Sequence, residues 1–212
     1  MTGRDVARDL LRIGAVALRP DAPFTWASGR LSPVYTDNRL ALSHPDVRTA
    51  LAAAMTAAAR PFAPDAVAGT ATAGIPLATL VADRLTLPLS YVRAVPKGHG
   101  QGQRVEGRVT PGQRVVVVED LISTGGSVLS AAAALTAAGA VPVAALAVFS
   151  YGLAGVDDAF ATAGLPLVTL TDFATLARVA RDEGFLQADA LAVLDAWRDS
   201  PGAWSAARGG AG

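Results

Sequence analysis

The sequence predicts an α/β fold with a doubly wound, mostly parallel sheet. Two observations carry that expectation. Short apolar runs alternate with helix-like stretches, and those runs are apolar throughout rather than at every second residue, as strands are when both faces are covered. A third observation sets the scale: 212 residues, 51% hydrophobic and 17% charged, suit one domain with a full core and exclude a disordered chain.

The elements follow in order. Val6, Leu10, Ile13 and Ala17 recur at helical spacing, so residues 2–18 are expected to form an amphipathic helix ending before Pro20. Residues 24–26 and 32–36 flank Ser28, Gly29 and Arg30, which reads as a hairpin-like element with a polar turn. Ser43 with Pro45 opens a helix that runs to Ala59, before Pro61 and Pro64. Strands are expected at 65–69, 87–92, 114–119, 141–149 and 165–170, with helices at 75–85, 127–138 and 155–163. Residues 94–112 break the alternation with four glycines between Gly98 and Gly107 and with Pro96 and Pro111, the composition of a lid or binding loop. The tail, 200–212, is expected to fray.

Composition narrows the function classes. Eighteen basic and 18 acidic side chains cancel, which argues against a nucleic-acid binder. Without cysteine there is no disulfide framework, zinc-thiolate site or thiol nucleophile, so a cytoplasmic setting is expected. The N-terminus lacks the basic and apolar regions of a signal peptide. Residues 121–156 carry no Asp, Glu, Lys or Arg, but Gly139 and Pro142 divide them into a helix-sized and a strand-sized piece, so no membrane association is expected. Seventeen of the 18 basic residues are arginine, leaving Lys97 as the sole lysine. A lysine kept against such a bias points to work that a planar guanidinium cannot do.

The strongest segment runs from Val115 through Glu119, Asp120, Leu121, Ile122, Ser123, Thr124, Gly125 and Gly126 to Ser127. An apolar strand delivers two adjacent carboxylates to its C-terminal end, the edge where open α/β sheets bind ligands. Small hydroxyls and glycines then enter a helix, so backbone N–H groups converge as a phosphate site requires. The carboxylates suit diol hydroxyls or a hydrated magnesium ion. An ordinary strand–helix turn with exposed acids is the plain alternative. No Gly-Lys-Ser/Thr closes a P-loop here, and no Gly-x-Gly-x-x-Gly turn is present.

This segment resembles the phosphoribosyl-diphosphate signature of the type I phosphoribosyltransferases. Residues 24–39, residues 69–76 and the stretch from Tyr91 and Arg93 through Lys97, Gly98, His99 and Gly100 to Gly107 extend the likeness over nearly the whole chain and narrow it to the orotate phosphoribosyltransferases. The resemblance implies a type I phosphoribosyltransferase fold in one domain, with a helix and small hood over residues 1–40 and a flexible lid over 94–112. It implies transfer of a phosphoribosyl group to orotate, with release of diphosphate, in pyrimidine biosynthesis. Mg2+ is the expected cofactor, bound mainly through substrate, with Glu119 and Asp120 as water-mediated contacts and no direct protein ligand assigned. The expected catalytic residues are Arg93, Lys97, His99 and Asp120. Phosphoribosyl diphosphate falls to Arg93, Lys97, His99, Thr72, Ala73 and residues 119–127. Orotate falls to Tyr35, Thr36, Arg39, Ser123 and Tyr151, with Arg39 alternatively held by Asp37 or Asp46. A homodimer whose lid closes over the neighbouring site is implied as well.

The chain departs from the resembled pattern at Ala94, Val95 and Pro96, where many members carry a second lid lysine, and at Ala27, where many carry lysine. Two other classes remain as alternatives. A purine phosphoribosyltransferase is expected to have a different lid and to lack Ser28-Gly29 followed by Ser32-Pro33. A non-catalytic phosphoribosyl-diphosphate sensor is expected to need a DNA-binding module or a basic stripe.

Overall fold

The computed structural model describes residues 1–26, 28–95, 104–187 and 189–212. At the N-terminus the Thr2 hydroxyl accepts from the Asp5 N–H while the Asp5 carboxylate accepts from the Thr2 N–H, a reciprocal cap that starts α1 (Gly3–Arg12). The helix is shorter than the expected 2–18. Gly14 at φ +71° turns the chain, and residues 16–18 become β1 (Val16–Leu18) instead. Val6, Ala7, Leu10 and Leu11 bury α1 in the main core.

The expected hairpin is present, with its second arm divided in two. β2 (Phe24–Thr25) pairs antiparallel with β3 (Leu31–Ser32), and β4 (Val34–Thr36) turns back onto β1. A 3-10 turn, Asn38–Ser43, leads into α2 (Pro45–Ala59), which has Pro45 in its first turn.

The central sheet contains β5 (Ala66–Thr70), β6 (Leu89–Val92), β7 (Val105–Glu106), β8 (Arg114–Ile122), β9 (Val141–Ser150) and β10 (Leu167–Asp172). Their order is β10-β9-β8-β5-β6-β7, parallel except for β7. Helices α3 (Gly74–Leu85), α4 (Gly126–Ala137) and α5 (Val156–Thr162) alternate with the strands as expected. Along β8, Val116 and Val118 face one core with α1, α2 and α3, while Val115 and Val117 face a second core with α4 and α5. Period-two alternation between two buried faces is why the strand reads as continuous valine. The uncharged stretch 121–156 resolves into α4 and β9, and no helix among the described residues is long and apolar enough to cross a membrane.

Three further helices close the chain: α6 (Phe173–Asp182), whose N-terminus is capped by Asp172 accepting from the Thr175 N–H at 2.7 Å, then α7 (Ala190–Asp199) and α8 (Pro201–Ala206). The tail is therefore packed rather than frayed. Trp204 is 5% exposed and Ser205 fully buried, with Arg208 stacked 3.8 Å from the Trp204 ring. Losing a buried indole costs roughly 3–5 kcal/mol, so this ring contributes substantially to holding the segment. The expected lid is also narrower than 94–112, because residues 105–106 pair with 91–92 as β7.

Candidate active site

From β5 the chain first builds β6 on one side and then returns to place β8 on the other. The crevice between the C-terminal ends of β5 and β8 is thus the switch point of the sheet, where loops diverge and leave room for a ligand. Two loops meet there: residues 71–73, between β5 and α3, and residues 123–125, between β8 and α4.

Their approach depends on small residues. A Cβ on Gly74 would sit 2.4 Å from the Val118 carbonyl and 2.6 Å from the Thr70 hydroxyl, so only glycine lets α3 start against β8. The Thr70 hydroxyl donates to the Val118 carbonyl at 3.2 Å and ties the two loops together. The Ala71–Thr72 peptide is cis. Gly125 has φ +78°, and a Cβ there would meet the Phe160 ring at 2.5 Å, so that position requires glycine on two counts. The first turn of α4 then directs backbone N–H groups and the positive end of its dipole toward the crevice.

Glu119 is 7% exposed. One carboxylate oxygen accepts from the Ser127 hydroxyl at 3.2 Å and the other from the Asp120 N–H at 3.1 Å. Burial pushes its pKa up to about 7; the Thr70 hydroxyl pulls it down and the Asp120 charge adds to the rise. Burial also raises Asp120, against the lowering influence of Arg39, so the two acids titrate as a pair. Behind them the Asn38 side-chain amide donates to the Asp120 carbonyl at 2.7 Å and fixes the strand end.

The second half of the crevice is aromatic. Tyr151, 4% exposed, follows β9 and packs against Phe149, Trp26, Trp197 and Phe173 with ring centroids 5.3 to 6.4 Å apart. Burial pushes its hydroxyl up to about 12, with Tyr35 and Asp120 close enough to reinforce the rise. The Tyr151 and Thr36 hydroxyls approach each other without forming a well-aligned hydrogen bond. Of the four buried side-chain polar atoms lacking a partner among the described residues, two, Thr36 Oγ1 and Asn38 Oδ1, belong to this corner. Buried groups of that kind are costly unless a ligand or water completes them. Arg39 forms a two-pronged ion pair with Asp37 at 2.6 and 3.0 Å, while Asp46 is taken by Arg12.

At the far side of β5, Arg93 stands at the foot of the expected lid. Its N–H donates to the Arg104 carbonyl at 2.8 Å, its guanidinium lies 3.7 Å from Glu106, and Arg104 returns a bond to the Arg93 carbonyl at 2.9 Å. Arg104 also donates to Ser130 on α4 at 2.8 Å, which ties the stem to the helix behind the crevice. Lys97 and His99, expected at the tip, lie outside the described residues.

Thr72, Ala73, Glu119, Asp120 and residues 123–127 therefore meet in one crevice, with Tyr35, Thr36 and Tyr151 at its rim. Leu121 and Ile122 are the last residues of β8, and the Ile122 side chain is 1% exposed and packs in the core. Asn38, Thr70 and Trp26 did not emerge as site residues from the sequence. Only the adjacency of Asn38 to the Tyr35–Asp37 run signalled it.

Comparison with known proteins places this arrangement. Residues 44–162 match the phosphoribosyl transferase domain family. The orotate phosphoribosyltransferase of Bacillus subtilis (strain 168) is 52% identical over 198 residues, covering 92% of each chain. The crystal structure of orotate phosphoribosyltransferase from Aeropyrum pernix superposes with a TM-score of 0.74 at 33% identity, covering 86% of this chain and 99% of that one. A structure of the Mycobacterium tuberculosis H37Rv enzyme in complex with 5-phospho-α-D-ribosyl 1-diphosphate superposes with a TM-score of 0.65 at 25% identity, over 82% and 97% of the two chains. Crevice, fold and relatives agree: the chain belongs to the orotate phosphoribosyltransferases.

Proposed function

We propose that the chain transfers the 5-phosphoribosyl group of phosphoribosyl diphosphate, taken as its magnesium complex, to a ring nitrogen of orotate, giving orotidine 5′-monophosphate and diphosphate. The observation that carries this reading is the meeting of the 71–73 and 123–127 loops at the sheet's switch point, beside paired acids and the Thr36–Tyr151 corner. A purine transferase and a non-catalytic sensor are not favoured by the relatives.

Each group has work suited to its position. The amides and hydroxyls of 123–127 at the start of α4 receive the 5′-phosphate, where the helix dipole favours a dianion. Glu119 and Asp120 offer acceptor oxygens to the ribose hydroxyls. The same oxygens can accept from the water shell of a magnesium ion, which supplies charge on the diphosphate. The 71–73 turn faces the diphosphate. Breaking the anomeric C–O bond leaves an oxocarbenium-like centre and a highly charged leaving group, so catalysis consists mainly of placing cations and excluding water. Arg93 stands at the stem for that purpose, and Lys97 and His99 are the further cations in this reading. Ser123, Tyr35, Thr36 and Tyr151 frame orotate. Arg39 reaches the substrate carboxylate only by exchanging Asp37 for it. A homodimer with shared lids, in a cytoplasmic setting, completes the proposal.

The test is the loss of orotate absorbance with purified chain, magnesium and phosphoribosyl diphosphate, with hypoxanthine and guanine as controls. Turnover of orotate alone, abolished by a chelator, supports the reading. Turnover of a purine, or none despite tight binding of phosphoribosyl diphosphate, overturns it.

A further inference from the structure

The last residues of the chain grip the hairpin that leans on the base side of the crevice. The buried Ser205 hydroxyl accepts from the Leu31 N–H at 2.9 Å and donates to the Ala211 carbonyl at 2.5 Å. Ala211 returns its N–H to the Gly29 carbonyl at 3.0 Å, and the Arg30 guanidinium donates to the Gly212 backbone oxygen at 3.0 Å. Gly210 fits only because it has no side chain: a Cβ would lie 2.5 Å from the Ser205 hydroxyl and 2.7 Å from the Leu31 side chain. Residues 29–31 are thus bonded from the far end of the chain, across more than 170 positions of sequence.

The clasped hairpin reaches the crevice through two rings. Phe24, paired with Ser32 across β2 and β3, packs its ring on Tyr35 at 5.6 Å. Trp26, bonded through its N–H to the Arg30 carbonyl at 2.8 Å, packs on Tyr151 at 6.2 Å and edge-on against Trp197 of α7 at 6.1 Å. Beyond β3, the Ser32 hydroxyl donates to the Val34 carbonyl and accepts its N–H, making a rigid corner three residues before Tyr35. A two-strand hairpin is marginal by itself, so its aim depends on what holds its outer edge.

We propose that the C-terminal segment 205–212 is a strap that positions the base-binding side of the crevice, with Ser205 as the positioning residue and Leu31, Phe24 and Trp26 as the intermediaries. None of the bonds that hold it reaches the 71–73 or 123–125 loop of the phosphate side, which belong to the β5–α3 and β8–α4 connections. Loosening the strap therefore weakens orotate capture and leaves phosphoribosyl diphosphate handling alone. The inference rests on the reading that Tyr35, Thr36 and Tyr151 frame orotate.

Steady-state kinetics on Ser205→Ala, Ser205→Thr and a chain ending at Ala206 test it, with hydrogen exchange as a second readout. Ser205→Ala and the shortened chain are expected to raise KM for orotate about tenfold, with KM for phosphoribosyl diphosphate within about twofold of the parent, and Ser205→Thr, which keeps the hydroxyl, to recover most of the loss. Amide exchange should accelerate in 24–36 and stay unchanged in 115–130. Equal rises in both KM values, an unchanged orotate KM, or faster exchange spread over the whole chain would overturn the strap. A parent chain that converts no orotate would instead overturn the functional reading beneath it.

Discussion

The two halves of the crevice are built in opposite ways. The phosphate side is local: β8 delivers Glu119 and Asp120, and eight residues later α4 has begun, so one contiguous segment supplies acids, hydroxyls and helix N-terminus. The base side is assembled from afar: Tyr35 and Thr36 come from β4, Tyr151 from the end of β9, and the supporting rings from β2, α6 and α7. In the proposed reading, a charged phosphate is thus met by a compact loop on the most buried strands, and the planar base by a packed aromatic wall whose shape depends on distant parts of the chain.

The largest effect that separates the halves is expected from Gly74→Ala. The added methyl meets a backbone carbonyl, which cannot rotate away, so α3 must shift off β8 and take the 71–73 turn with it. Turnover is expected to fall about 100-fold, as for a displacement of roughly 1 Å in a positioned site. Stability should fall by about 1–3 kcal/mol. Kinetics and a thermal melt check both. Near-parental turnover would mean that the 71–73 turn contributes nothing to substrate.

That asymmetry decides what the sequence discloses. The phosphate side was readable because a valine strand, two acids and a Ser-Thr-Gly-Gly run stand next to one another, and strand alternation placed them at the sheet's edge. The base side was readable only by resemblance, since nothing in the spacing of Tyr35 and Tyr151 shows that they meet. Periodicity also overran α1, because Ala17 fell in helical register while Gly14 had already turned the chain. The tail misled for the opposite reason: its glycines and small residues suggest fraying, yet Gly210 is small so that it can fit against Ser205 and Leu31. The Arg39–Asp37 pair illustrates a further limit, because two candidate partners for one arginine, Asp37 and Asp46, can be separated only by geometry.

A smaller, one-sided effect is expected on the base side. Tyr151→Phe deletes one buried hydroxyl facing Thr36, with Tyr35 and Asp120 nearby, and should raise KM for orotate about five- to tenfold, the worth of one hydrogen bond, while KM for phosphoribosyl diphosphate stays within about twofold. A rise in both constants would merge the two halves into one.

A further effect concerns stability and pH. Folded Glu119 titrates at about 7 against an ordinary value of 4.5, so between these limits the folded chain holds a proton that the unfolded chain has lost. Its contribution therefore favours folding at low pH, declines as pH rises from 4.5 to about 7, and is level above. Glu119→Gln should flatten that slope in Tm against pH, leaving the contribution of Asp120, whose pKa is raised in the same direction. An unchanged slope would mean that Glu119 is ionised throughout.

The most direct measurement is a crystal structure of the chain with magnesium phosphoribosyl diphosphate and orotate together. The expected result is the 5′-phosphate within hydrogen-bonding distance of the 123–127 amides, the ribose hydroxyls on Glu119 and Asp120, and the orotate ring at the Tyr35, Thr36 and Tyr151 wall. A phosphate bound away from the start of α4, or orotate on the Arg93 side of the crevice, would contradict the division of the site into these two halves.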